Sequence, residues 1–249
     1  MVAKPRRWRR LLRLGVVLLV TGIILCALQP RASFALMERL APNIVWRIDT
    51  EQRLVALSFD DGPHPVYTAQ VLDILAAQHA HATFFLIGER AARHPELVQR
   101  IRGAGHEVGN HFFMNGTILA HSDADFVGYL DRTEKAGGIT GPAKLFRPPG
   151  GLAWPGQLRL AQRRGYTCVL GSAYPYDASR PPAWYIQWLV EKNLAPGSIV
   201  ILHDGIPDPT RTIEALPHIL AAGRAKGLRF VPVGELIRAG AQPLLGPPS

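Results

Sequence analysis

Cysteine is almost missing from this chain, with two residues in 249, Cys26 and Cys168. The first falls in a hydrophobic N-terminal run and the second in a predicted internal strand, so neither a disulfide scaffold nor a thiolate metal site fits. No low-complexity tract and no internal repeat is visible. Charge is sparse at 19% against 47% hydrophobic residues, which is too apolar for disorder and enough for one substantial core. Acids are the scarcer sign, 19 against 28 basic residues, for a formal charge of +9 and a pI near 10.1.

That charge invites a nucleic-acid reading, but its distribution argues against one. Lys4, Arg6, Arg7, Arg9, Arg10 and Arg13 all lie in the first thirteen positions, where there is no acid. The remainder carries 22 basic and 19 acidic residues, a net +3. Such a balanced body with a basic head resembles an export segment, and no nucleic-acid partner is expected. Leu14 to Leu28 follows as fifteen residues without a charge. Fifteen is short for a spanning helix, which takes ~20 apolar residues, and long for a cleavable segment. Ser33-Phe-Ala35 has the small-x-small form of a signal-peptidase site. The expectation is a signal-anchor over 1–35, single-pass with the body outside the cytoplasm, or a secreted protein if cleavage follows Ala35. Residues 36–52 read as a lead-in, 53–238 as a single domain and 239–249 as a Gly/Pro-rich tail.

Within the body, short apolar runs that suit buried strands alternate with stretches of helical spacing. Strands are predicted at 53–59, 82–88, 107–110, 144–146, 166–170, 198–202 and 228–231. Helices fall near 68–78, 95–102, 122–135, 156–164, 182–193 and 210–225. Seven strands alternating with helices imply an α/β protein with a parallel sheet, either a barrel or an open doubly wound sheet.

Ionisable residues collect where those strands end. Asp60 and Asp61 follow the first strand, His111 the third and Arg147 the fourth; Asp177 lies in the loop after the fifth, and His203 and Asp204 follow the sixth. In parallel α/β folds the C-terminal strand ends open onto one face, and active sites form there. Alone, Asp60-Asp-Gly-Pro63 is also a good turn, His111 a plausible core histidine and Arg147 a plausible loop salt bridge. Their joint placement on one face points to an enzyme.

Five segments then resemble, in order, the polysaccharide deacetylase family, the NodB-homology domain of carbohydrate esterase family 4. They are Leu57-Ser-Phe-Asp-Asp-Gly-Pro63, Ala82-Thr-Phe-Phe-Leu-Ile-Gly88, Gly105-His-Glu-Val-Gly-Asn-His111, Phe146-Arg-Pro-Pro-Gly150 and Ile201-Leu-His203. The resemblance implies a distorted (β/α)7 barrel, here preceded by an N-terminal hydrophobic helix, and metal-dependent removal of acetyl groups from N-acetylated glycans such as chitin or peptidoglycan. By resemblance Asp60 is the general base, Asp61 a metal carboxylate, His111 a metal histidine, Arg147 the arginine that orients the base, and His203 the general acid held by Asp177. Backbone donors near Pro149 and Gly150 would face the oxyanion, with Tyr174 beside the substrate. Tyr176, Trp154 and Trp184 are further candidates for stacking on sugar rings.

One position departs from the pattern. The second metal histidine is expected four residues after His111, and that residue is Asn115. One divalent ion, zinc first, is expected on Asp61, His111 and Asn115; an amide oxygen is a weaker zinc ligand than imidazole, so cobalt, manganese or another harder ion also fits. His64 and His121 are the candidate substitutes. Two other functions stay open: a catalytically impaired glycan-binding barrel, and a related C–N hydrolase acting on a smaller amide. The expected partners are an N-acetylated glycan and, through the N-terminal segment, the membrane; a monomer is expected.

Overall fold

The computed structural model describes residues 5–29 and 31–240. Helix α1 (Pro5–Leu28) carries five of the six basic residues of the head, all but Lys4, and the apolar run, and α2 (Arg31–Leu40) follows. Among the described residues no helix is long and apolar enough to cross a membrane. The apolar run expected to anchor the chain includes 23–27, whose side chains lie outside that description. The residues 241–249 of the expected tail lie outside it too.

The body follows as β1 (Ile44–Val45), β2 (Leu54–Asp60), α3 (Tyr67–Ala77), β3 (Thr83–Leu86), α4 (Gly88–Arg93), α5 (Pro95–Gly103), β4 (Glu107–Asn110) and α6 (Asp123–Gly137). It continues through β5 (Lys144–Phe146), α7 (Pro155–Arg163), β6 (Tyr166–Val169), α8 (Ala183–Asn193), β7 (Ile199–His203), α9 (Thr210–Ala225), β8 (Arg229–Val231) and α10 (Val233–Ala239). The predicted strands and long helices all form; β1, α4 and α10 are additions that the periodicity did not show.

All strand pairs are parallel, in the order β1-β6-β5-β4-β3-β2-β7, with β8 also on β2. The barrel alternative wins over the open sheet because the chain just past β6 curls back. Ala173 bridges Val200 of β7, and Ser172 N–H donates to Ile199 O at 3.0 Å. The result is the expected distorted barrel of a single domain.

Strand β2 shows why this sequence closes a barrel. All seven of its residues are buried, as expected for a parallel strand covered on both faces. Val55, Leu57 and Phe59 point outward and pack with Leu72, Leu75, Ile186 and Leu216 of the surrounding helices. Phe59 also stacks on Phe84 with centroids 5.2 Å apart. Burying such a ring contributes ~1.5–3 kcal/mol. Leu54 and Ala56 belong instead to the inner cluster with Phe85, Leu145, Val169 and Ile199, floored by Leu236 and Ile237 of α10. The same alternation turns Ser58 and Asp60 inward, so an apolar floor gives way to polar groups at the C-terminal mouth.

Candidate active site

Asp60 ends β2 and lies opposite His203 on β7 and Phe85 on β3. The residue is 4% exposed, a costly place for a charge without a partner. Arg147, 1% exposed just past β5, supplies that partner: Nη1 donates to Asp60 Oδ1 at 2.6 Å and to Ser58 Oγ at 2.8 Å. Its other donors reach Val169 O at 3.1 Å and Leu170 O at 3.3 Å, and the guanidinium lies 4.0 Å from the Phe85 ring centroid. Burial holds the guanidinium below its ordinary pKa against the opposing pull of Asp60.

His203 is gripped by Asp177, which is 1% exposed. Nδ1–H of the ring donates to Oδ1 at 2.8 Å, and the backbone N–H of His203 donates to Oδ2 at 2.8 Å. The Thr212 hydroxyl donates to the same Oδ2 at 2.9 Å. Burial alone would lower the histidine pKa; the charge and hydrogen bond of Asp177, with Asp60 and Asp61 behind it, raise it to about 9. His203 is therefore a cation at neutral pH.

Asp61 and His111 form the second pair. His111 Nδ1 donates to the carbonyl of Arg147 at 2.8 Å, which turns Nε2 toward Asp61 Oδ1 at 3.4 Å. Burial would raise the Asp61 carboxyl, but His111, followed by His203 and Arg90, holds it below the usual carboxylate value.

The sequence profile of the polysaccharide deacetylase family matches residues 47–169. A peptidoglycan-N-acetylglucosamine deacetylase of Bacillus cereus is 39% identical over 209 residues, covering 82% of this chain and 98% of that protein. The chain belongs to the polysaccharide deacetylase family. Among solved structures, a peptidoglycan N-acetylglucosamine deacetylase in complex with an N-oxidanyl-benzamide superimposes with a TM-score of 0.74 at 27% identity, covering 81% of this chain and 95% of that one. A family 4 acetyl xylan esterase of Clostridium thermocellum in complex with a cobalt ion gives 0.67 at 31% identity, covering 74% and 90%.

The polysaccharide deacetylase family implies a metal, and the donors here can be tested against one. Ligand atoms on a tetrahedral zinc ion with bonds of ~2.0–2.1 Å lie about 3.3 Å apart. Asp61 Oδ1 and His111 Nε2 match that spacing, one a carboxylate oxygen and the other an imidazole nitrogen. These two residues fit a divalent ion. The expected third donor is not brought to them: Asn115 is exposed in the loop after β4, and no hydrogen bond or ion pair joins it to Asp61 or His111. The loop leaves β4 through Phe112 at φ +71°, and residues 114–117 then run along the surface. Neither candidate substitute joins them. His64 Nδ1 accepts from the backbone of Val66 and Tyr67, and His121 packs between Phe112 and Tyr129. No three His, Cys, Asp or Glu side chains form a metal set among the described residues.

Of the remaining candidates, Pro149 and Gly150 form a short turn after Arg147, with Gly150 at φ +64°. The Tyr174 ring lies 6.0 Å from His203, and burial with nearby carboxylates pushes its hydroxyl up to about 12. Tyr174 also meets the N-terminal segment: its N–H donates to Gln29 Oε1 at 2.9 Å and its carbonyl accepts from Gln29 Nε2. Trp154 is largely exposed at the rim, with its indole N–H on Leu119 O at 3.0 Å, and Trp184 is exposed on α8.

Several residues of the site carried no assigned role in the sequence. Asp204 is fully buried, with Thr68 Oγ1 donating to one carboxylate oxygen and no partner on the other. Burial, with the charge of Asp61 added, pushes it up to about 7. Ser58, Thr212 and Arg90 are the others; each acts through a neighbour more than 25 residues away in the chain, a relation periodicity does not display.

Proposed function

We propose that this chain is a hydrolase that removes acetyl groups from an N-acetylated glycan of the cell envelope, of the peptidoglycan or chitin kind. The observation that carries this is the pairing across β2 and β7: Asp60, fixed by Arg147, stands in register with His203, held cationic by Asp177. A base and an acid on neighbouring strands are what amide hydrolysis needs.

Arg147 takes Asp60 Oδ1, so Oδ2 is left to accept the proton of a water that attacks the acetyl carbonyl. Collapse of the tetrahedral adduct requires a proton on the departing amine, and His203 Nε2–H supplies it while Asp177 stabilises the ring on the far side. In the turn that Pro149 opens, the backbone N–H of Gly150 would be the donor to the oxyanion, since proline has none. A divalent ion held by Asp61 and His111 would polarise the carbonyl as a Lewis acid. The basic head and apolar run of α1 support a place outside the cytoplasmic membrane, where such glycans lie.

Acetate release from N-acetylglucosamine oligomers and from peptidoglycan, with and without zinc, cobalt or manganese, tests the proposal. No acetate under any of these conditions would overturn it. The exposed Asn115 favours one second reading, a barrel that binds glycan without turning it over; glycan retention with no acetate release would establish that reading.

A further inference from the structure

We infer that Arg90, together with the first turn of α4, is the positioning element that brings Asp61 and His111 to one point; this rests on the functional reading above. Both residues reach that point through unfavourable backbone. Asp61 has φ +69°, and Phe112, directly after His111, has φ +71°. Neither is a glycine, so each left-handed residue persists only where its surroundings hold it.

The holder is the same for both. Three successive amides at the start of α4, groups that a helix cannot satisfy internally, are taken by carbonyls of the two loops. Ile87 N–H donates to Gly62 O, Gly88 N–H to Phe112 O and Glu89 N–H to Phe113 O, each at 2.9 Å. The Arg90 side chain then completes the clasp: Nη1 donates to the carbonyl of Asp61 at 2.7 Å and to that of Gly205. One guanidinium thus joins the backbone of the left-handed metal carboxylate to the segment after His203. Close packing shows the fit is tight. A Cβ on Gly205 would lie 2.0 Å from Asp61 O, and one on Gly88 would lie 2.4 Å from Thr133 Oγ1. Arg90 touches no reacting atom; it acts through the conformation of Asp61.

The test uses the full chain with Arg90→Met, which removes both hydrogen bonds, and Arg90→Lys, which keeps a donor nitrogen without the guanidinium's shape. Cobalt affinity is read by equilibrium dialysis, and amide exchange of Ile87 and Asp204 is read in the metal-free protein. Loss of a group that orients a metal ligand lowers metal affinity about 10- to 100-fold. We expect a drop of that size in Arg90→Met, a smaller one in Arg90→Lys, and faster exchange at both amides with the exchange of β3 unchanged. Cobalt affinity within two-fold of the parent overturns the inference. If the parent chain binds no cobalt, the metal reading of the site fails, and the exchange rates alone decide: unchanged protection at Ile87 and Asp204 in Arg90→Met then overturns the clasp.

Discussion

Asp177 holds His203 at two places, taking the ring Nδ1–H on one oxygen and the backbone N–H on the other, each at 2.8 Å. The doubled contact fixes ring orientation and charge together. The histidine at the end of β7 therefore keeps its charge through neutral pH and titrates in the alkaline range.

Its folded pKa of about 9 exceeds the ordinary 6.5, so the stabilisation is complete below about pH 6.5 and is lost as pH rises through 9. It amounts to at most ~3 kcal/mol. Thermal melts should show Tm falling between pH 7 and 10 in the parent chain, with that decline flattened in His203→Gln. Melts with the same pH dependence in both would contradict the assignment.

The acid role has a kinetic signature as well. With acetate release as the readout, kcat/KM should fall above about pH 9, and that alkaline limb should disappear in His203→Ala along with at least ~100-fold of rate.

Arg147→Met leaves Asp60 buried without its cation. Breaking such a pair costs ~3–5 kcal/mol, so the melting temperature should drop by several degrees or more. Asp60→Asn keeps an acceptor for Arg147 but removes its counter-charge, so the melting temperature should fall less than in Arg147→Met while acetate release is abolished. Circular dichroism melts beside activity separate the two effects.

Asn115→His places an imidazole at the position where the family pattern has its second metal histidine. Cobalt should bind at least ten-fold tighter, with stronger visible absorption from lower coordination. Equal affinity in the parent and the variant would mean that the exposed loop after Phe112 does not swing Asn115 onto the ion.

Gly205→Ala probes the closest backbone approach in the mouth. The added methyl meets the Asp61 carbonyl, so we expect ~1–3 kcal/mol of destabilisation and at least a ten-fold loss of activity, read by denaturant melts and acetate assay.

Much of this was legible from the residues because a parallel sheet sorts them. Asp60, Arg147 and His203 each end an apolar run and His111 follows the short strand 107–110, and strands running one way must deliver those ends to one face. Closure of the barrel was not legible, since it turns on Ala173 meeting Val200, a contact outside any predicted strand. Helix α4 escaped for a different reason: six residues is under two turns, and the apolar run of β3 passes into it through Ile87 and Gly88 without a turn signal. Arg90 accordingly carried no assigned role. The partners of Asp204 and Asp177, Thr68 and Thr212, sit on helices whose apolar spacing hides a single inward hydroxyl.

The guanidinium of Arg147 also decides how traffic through the molecule runs. It lies across the bore, bonded to the ends of β2 and β6 and stacked on Phe85 of β3, above an apolar floor sealed by α10. A barrel plugged in this way has a single doorway. Anything that enters the site through the C-terminal mouth must leave by the same way.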